Sequence, residues 1–568
     1  MQKNKVPLVG LTESEDKRAL LNSPPFIAAR QIEAQALTDL RAEYRLVKEA
    51  LAAEGIADVM LKSVGRPPSF PYRSDNLDVL YRPQDVTRVK EVLHALGYVE
   101  LKNVEEPHKY LFRKFHAGRS VSAIHVHAHV GWMVSFLDEE ALWRRCRACA
   151  DDPLVTAPAP EDAFLTTLAH FFYEDKCVSL LDVLKYAHCL RHGVDWDEVY
   201  RIATWRGWRD GLNASLLLCA YQEFVIYEET LAPLEILQRA NHELPAWARA
   251  ALERRLGLCY NNNGFVVATS VAPSTSTTFA TMPLRIPFVF SKAFFYTKLL
   301  RDPSRSTTRK IKDLAVHTAN GTKLRLHIHS QPSMLVTFSG VDGCGKTTQA
   351  KALQSAFEAC HLRASQVWTR GGSASWLGLF TRLGKRRAEA AHVAPVSAAI
   401  QVQMRQQRFR SLWVRWAWSW LTTLELLCEY TRRVTLPLLR GRVVICDRYC
   451  YDALADWAAY FGEPSVERRL AARVLRWLCP RPKIAYWLDV TPDVALARSQ
   501  DGLPVEFLAA QSAFYRRLTA LYALRRLDGQ QPWEEISDGV VEQVLNAYFD
   551  EYHTLLNSLF LKNPGQWI

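Results

Sequence analysis

Met334 to Leu353 reads MLVTFSGVDGCGKTTQAKAL, and its reading decides the fold of the C-terminal part of this chain. Met334 to Phe338 is a short apolar run of the kind that forms a buried strand. Gly340-Val341-Asp342-Gly343-Cys344-Gly345-Lys346-Thr347 matches the phosphate-binding loop pattern in full, and the residues up to Leu353 suit a helix. Each residue type has a task in such a loop. Glycines let backbone N–H groups curl round a triphosphate, Lys346 reaches its terminal phosphates, and the Thr347 hydroxyl is placed to ligate Mg²⁺. The phosphates also meet the positive end of the following helix. The expected nucleotide contacts are Gly340, Gly343, Cys344, Gly345, Lys346, Thr347 and Thr348, with ATP and Mg²⁺ as the cofactors.

Outward from the loop, three further segments fall into order. Val443 to Tyr449 (VVICDRY) reads as a second buried strand ending in Asp447-Arg448, and Ile484 to Val490 (IAYWLDV) as a third that leads into Pro492 to Arg498. Asp447 is placed to hold Mg²⁺ as the carboxylate partner of Thr347. Arg448 stands just past a strand end, where open α/β sheets place their ligands.

With its carboxylate inside the glycine run, and with Thr348-Gln349 following, the loop resembles that of thymidylate kinases. Asp447-Arg448-Tyr449 is similar to a signature of the same family, and Pro492 to Arg498 looks like its approach to the lid. The resemblance covers about residues 333–568 and implies a P-loop fold with a parallel sheet flanked by helices. It implies that Asp342 faces the acceptor's sugar. Trp368-Thr369-Arg370-Gly371-Gly372 is similar to the family's Thr-Arg-x-Pro-Gly-Gly stretch, shortened and without its proline, which makes Arg370 and Arg448 candidate clamps for the acceptor phosphate. The lid departs from the family: RSQDGLPVE, from Arg498 to Glu506, offers one arginine where many such kinases have several. Arg498 then carries transition-state charge beside Lys346 and Arg448, helped by Arg516 or Arg517.

The rest of the chain is read around this half. A length of 568 residues implies several domains, and 49% apolar content with 11% aromatics fills sizeable cores. A formal charge of +12 favours anionic ligands without choosing between nucleotides and nucleic acid. Twelve cysteines lack framework spacing, as expected in a reducing cytoplasm. Met1 to Glu15 has no apolar core of the signal-peptide kind. Leu412 to Tyr430, the most apolar span, carries Arg415, Glu425 and Glu429 and is expected as a buried helix rather than a membrane crossing. The Trp413, Trp416, Trp420 series at helical spacing is expected in the core.

After an extension (1–29), residues 30–155 read as a separate α/β domain. Arg30 to Glu54 is helical by its 3.6-residue spacing, Val59 to Leu61 is a strand, Arg73 to Tyr81 contains another, and Pro83 to Leu96 is a helix. This pattern resembles a family of uncharacterised nucleotidyltransferase-like proteins, in which a Leu-Lys-Gly strand end precedes an Arg-x-x-Asp-x-Asp strand whose two carboxylates hold metal ions. The equivalents here are Leu61-Lys62-Ser63 and Asn76-Leu77-Asp78, so alternation puts only one carboxylate on the required face. A later strand, Ile124 to Val130, places His125, His127 and His129 on a common face, a poor set for Mg²⁺. Those histidines, with Cys146 and Cys149 nearby in sequence, leave a zinc or copper site open against the plainer reading of a solvated sheet face.

Residues 156–260 read as a helical bundle, and 261–332 as a linker and connector whose run of Lys298, Arg301, Arg305, Arg309, Lys310 and Lys312 is expected on a solvated face. The expectation is therefore a cytoplasmic fusion. A nucleotidyltransferase-like domain precedes a P-loop kinase (333–568) that moves the γ-phosphoryl group of ATP to a nucleoside monophosphate or related small acceptor. A nucleotide-gated regulatory or scaffold protein, and an enzyme acting on nucleic-acid ends, remain as other classes. No membrane partner is expected, and a homodimer is left open.

Overall fold

A computed structural model describes residues 23–61, 76–101, 109–131, 135–149, 152–227, 229–256, 258–261, 264–267, 283–326, 331–369, 398–499 and 502–559. These fall into two compact units, 23–113 with 121–326, and 114–120 with 331–559.

The first unit opens with α1 (Pro24–Ala53), which buries Tyr44, Val47 and Leu51 at helical spacing. A five-stranded sheet follows, built from β1 (Val59–Met60), β2 (Leu77–Leu80), β3 (Tyr98–Leu101), β4 (Lys109–His116) and β5 (Arg119–His127), in the order β1-β2-β5-β4-β3. β1 pairs antiparallel with β2, whereas β2 and β5 run parallel with Asp78 opposite His125 and Leu80 opposite His127. The helix α2 (Val86–Ala95) lays Val86, Val89 and Leu93 into the same core as Tyr44 and Val47. β5 begins earlier than expected and ends at His127, so His129 lies beyond the strand.

The helices of this unit include α3 (Glu139–Arg145), α4 (Pro160–Ala169), α5 (Leu180–Arg191), α6 (Trp196–Trp205), α7 (Arg209–Tyr227), α8 (Phe288–Arg301) and α9 (Thr307–Arg325). One core joins Val59, Leu61 and Leu80 of the sheet region to Phe164, Leu216, Phe290, Phe294 and Leu299.

Phe290, Phe294 and Leu299 on α8 are core residues, but the charge run that follows departs from the expected solvated face. Lys298 is fully buried, 3.3 Å from Asp302, and Arg305 pairs with both Asp302 and Asp313. Burial pushes the Lys298 ammonium down to about 7, with Asp302 opposing the shift. The charge run is thus partly internal, paired along the helices with acidic residues three to eight positions away.

The second unit is a five-stranded, wholly parallel sheet. Its strands are β6 (Met334–Ser339), β7 (Ala364–Trp368), β8 (Val443–Asp447), β9 (Ile484–Asp489) and β10 (Arg525–Asp528), in the order β7-β8-β6-β9-β10. β6, β8 and β9 are buried at every residue, the pattern of strands covered by helices on both faces. The helices are α10 (Lys346–Ala359), α11 (Ala398–Arg408), α12 (Leu412–Tyr430), α13 (Cys450–Phe461), α14 (Pro492–Arg498), α15 (Val505–Tyr522) and α16 (Trp533–Leu559). β6 is flanked by a later strand on each side, so the crevice at its carboxyl end is a topological switch point, where such sheets bind ligands.

α12 departs from expectation. Thr422, Glu425, Leu426 and Tyr430 are buried, but Trp413 is 78% and Trp416 56% exposed, because the helix packs through its other face. Among the described residues no helix is long and apolar enough to cross a membrane.

Candidate functional site

The loop between β6 and α10 takes its shape from its glycines. Gly340, Gly343 and Gly345 have φ of +148°, +86° and +97°. A Cβ on Gly343 would stand 2.4 Å from the Ala495 carbonyl oxygen, and one on Gly340 would meet Cys344 Sγ at 2.7 Å. Only glycine tolerates both the dihedral angle and the close approach. The Gly343 neighbours belong to the end of α14, with Ser499 Cβ at 3.2 Å, so the segment that leads to Glu506 starts directly against the loop.

Lys346 begins α10 and turns its side chain back over the loop, where Nζ donates to the carbonyls of Gly340 (2.9 Å) and Val341 (2.7 Å). Thr347 Oγ1, in the first helical turn with Thr348, donates to Asp447 Oδ2 at 2.5 Å. The register explains the meeting: Asp447 lies opposite Phe338, two residues before the loop. Burial raises the Asp447 carboxyl above its usual range, and the Thr347 donation and the Lys346 charge oppose that shift. Asp447 is 1% exposed, and its Oδ1 has no partner among the described residues. A buried, unsatisfied carboxylate oxygen beside a threonine hydroxyl fits the oxygen donor set that Mg²⁺ prefers.

Arg448 follows with φ +74°, a left-handed conformation costing a non-glycine residue about 1–2 kcal/mol. Its N–H donates to Phe338 O (2.9 Å), and its own carbonyl accepts from Thr369 Oγ1 (2.9 Å). Held in this way, the mostly buried guanidinium reaches back to pair with Asp342. The same Asp342 oxygen lies 3.8 Å from Lys346 Nζ. Asp342 therefore sits between the two cations of the loop crevice.

Other sequence candidates lie elsewhere or are differently engaged. Arg498 ends α14, next to the residues that touch Gly343, and donates to the Gly529 carbonyl at 2.7 Å. Arg517 is held by Glu467 at 2.8 Å. Arg370 lies outside the described residues. Cys344 is buried behind the loop, its Sγ 3.6 Å from Lys346 Nζ.

The residue that sequence reasoning missed is Asp452, at the third position of α13. Its carboxylate accepts from Ser339 Oγ (2.7 Å), the N–H groups of Tyr449 (2.8 Å) and Gly340 (3.3 Å), and Tyr515 Oη (2.8 Å). Burial above all, and then the Asp452 charge, hold the Tyr515 phenol well above its ordinary range, so it stays a donor. One buried carboxylate thus ties the end of β6, the start of the loop, α13 and α15 together. The signal present was an aspartate three residues past Tyr449, the position that caps a helix start.

In the first unit, Asp78 Oδ1 lies 2.9 Å from His127 Nε2 and 3.2 Å from His125 Nδ1. Burial drives the His127 imidazole well below its ordinary range, keeping it neutral, with the Asp78 hydrogen bond opposing. His129 does not share this cluster. Its Nδ1 meets Glu139 Oε2 at 2.9 Å at the start of α3, because the strand has already ended. Cys146 ends α3 with Sγ donating to Trp143 O, and neither it nor Cys149 joins a metal-ligand group among the described residues.

Known proteins divide along the same lines. Residues 21–221 match the family model described as an uncharacterised nucleotidyltransferase. Other parts of the chain are similar to thymidylate kinases. That of Dehalococcoides mccartyi (strain CBDB1) is 28% identical over 222 residues, which is 37% of this chain and 95% of the relative. The second unit is thymidylate kinase-like. The enzyme of Verminephrobacter eiseniae is 26% identical over 206 residues (34% of this chain, 80% of the relative), and that of Nostoc punctiforme is 25% identical over 229 (38% and 96%). Nucleotidyltransferase-like and thymidylate kinase-like regions are thus joined in one chain, and the likeness to kinases holds at the level of the family.

Proposed function

We propose that this chain is an ATP-dependent phosphotransferase of the thymidylate kinase type, moving the γ-phosphoryl group to the phosphate of a nucleoside monophosphate, dTMP-like, or a related small acceptor. The observation that carries the reading is the meeting of Lys346, Thr347 and the half-satisfied Asp447 carboxylate at the mouth of one glycine-shaped loop. Thr347 and Asp447 would hold Mg²⁺ there, and the ion would supply positive charge against the phosphate oxygens. Lys346 needs only to exchange two loop carbonyls for phosphate oxygens, which places its charge on the leaving and transferred groups. Arg448, pre-positioned by its strained backbone and Thr369, presents a fork suited to the acceptor phosphate. Asp342 bridges Arg448 and Lys346, and by the kinase resemblance its carboxylate takes an acceptor hydroxyl. Such catalysis is positioning plus charge neutralisation.

The test is a panel of nucleoside monophosphates, nucleosides, sugars and oligonucleotides, each offered with ATP and Mg²⁺ while ADP is followed. The proposal expects a monophosphate to stimulate ADP release most. Stimulation by oligonucleotides alone would favour work on nucleic-acid ends, and stimulation by nothing would favour a nucleotide-gated regulator.

Asp447→Asn gives a sharper expectation. It keeps an acceptor for Thr347 but removes the charge, so the Mg²⁺ concentration for half-maximal rate should rise by about 10–100-fold or more, since changing a residue that merely supports a ligand already costs that much. Folding should be unimpaired, since a desolvated carboxylate is replaced by a neutral amide. An unchanged Mg²⁺ titration would remove Asp447 from the metal site.

A further inference from the structure

The cluster on β2 and β5 is not used by the chemistry above, and its donor atoms converge. Alternation puts His125 and His127 on one face of β5, and the parallel register sets Asp78 directly across from His125. All three side chains turn their donor atoms to one place, with those atoms within 4.8 Å of one another. Two of the separations are 2.9 and 3.2 Å, both ending on the same oxygen, Asp78 Oδ1. Ligands bound to one ion at about 2.0–2.2 Å stand roughly 3.0–3.5 Å apart, so little movement is needed to admit one.

The plainer account is a satisfied core pair in which His127 donates to Asp78. It hydrogen-bonds His127, 2% exposed, through Nε2 and leaves His125 Nδ1 as a 3.2 Å ionic contact on the same oxygen. With both imidazoles neutral and carrying their N–H on the far nitrogen, the two ring nitrogens and the carboxylate oxygen offer three lone pairs to one ion. The neighbouring charge does not forbid it: Lys109 is buried but lies 3.7 Å from Glu174.

The donor chemistry selects the ion. Mg²⁺ asks for oxygen ligands, and the nucleotidyltransferase resemblance implies a pair of such ions held by two strand carboxylates, where this chain has Asn76 and Asp78. One carboxylate with two imidazoles does not fit that pair. It suits a single late first-row divalent ion, with three protein ligands and open coordination positions. We propose that Asp78, His125 and His127 form a mononuclear site for a zinc-class divalent ion, and that this face of the nucleotidyltransferase-like unit is not a two-magnesium centre.

The experiment uses the full-length, tag-free protein, stripped with chelator in the presence of a non-thiol reductant, with Zn²⁺ and Co²⁺ as the probes. Titration should show one equivalent bound, and Co²⁺ should give visible d–d bands without a near-ultraviolet thiolate charge-transfer band. His125→Ala, which removes the more accessible ligand, should weaken Zn²⁺ binding by at least about 100-fold, more than is usual when a residue that only hydrogen-bonds a ligand is changed. Its circular dichroism should match the parent, and Asp78→Asn should act in the same direction. His129→Ala should bind as the parent does, because His129 belongs to Glu139. Millimolar Mg²⁺ should not displace the ion. Absence of stoichiometric binding would overturn the proposal. So would binding that survives His125→Ala, a thiolate band that transfers the site to cysteines, or displacement by Mg²⁺.

Discussion

Lys346→Ala is expected to lower kcat for phosphoryl transfer by at least about 10²–10³-fold, the scale on which removal of one preorganised charge-stabilising donor is felt. The side chain is mostly buried, yet both of its strong contacts are with carbonyls of its own loop (2.9 and 2.7 Å). Among the described residues its hydrogen bonds and ion pair stay within residues 340–346. Arg448 still pairs with Asp342, so removing the lysine does not strand that carboxylate. The melting temperature should therefore change little while turnover collapses. The loss should appear chiefly in kcat, since the charge matters most where negative charge moves onto the leaving phosphate. Steady-state kinetics with a thermal melt decide the matter. Near-normal turnover would remove the loop from the reaction.

Asp452→Ala should produce the largest loss of stability among single changes at the site. Four donors lose their acceptor together: Ser339 Oγ, Tyr515 Oη and the N–H groups of Gly340 and Tyr449. Each stranded buried donor costs about 1–3 kcal/mol, and relaxation reduces the sum, so roughly 3–5 kcal/mol is expected for the second unit. Two units in one chain make global unfolding a poor measure. Hydrogen exchange of the β6 amides reports the second unit directly, and protection there should fall by about 150-fold or more, the equivalent of 3 kcal/mol. Asp452→Asn keeps an acceptor but points an amide N–H₂ at donors, so its effect should be intermediate. Unchanged protection in the alanine variant would mean that the network does not hold the loop.

Parallel strands announce themselves in sequence when both faces are covered. β6, β8 and β9 are largely apolar runs, broken only by Thr337 and closed by Ser339, Asp447 and Asp489, and their order around a glycine loop leaves little freedom in topology. Lys346, Thr347 and Asp447 were legible because loop and strand end meet through backbone register alone. Asp452 was not, because its role depends on Tyr515, 63 residues later, and on the Ser339 hydroxyl across the crevice. The charge run was misread for a related reason: charge counts as solvated until a partner such as Asp302 or Asp313 is brought beside it. Alternation was extended one step too far at His129, since nothing local in the sequence shows that β5 stops at His127. The exposed Trp413 and Trp416 show the same limit, for helical spacing names a face but not what that face meets.

The proposed reaction is acceptor-dependent phosphoryl transfer at this loop. ATP labelled in its γ-phosphate, mixed with dTMP and Mg²⁺ and the full-length protein, tests it most directly when the label is followed by chromatography. Label is expected in the β-position of a diphosphate product, formed in step with ADP and absent with Lys346→Ala. ATP that binds while its label stays in ATP, or passes only to inorganic phosphate whichever acceptor is offered, would contradict it.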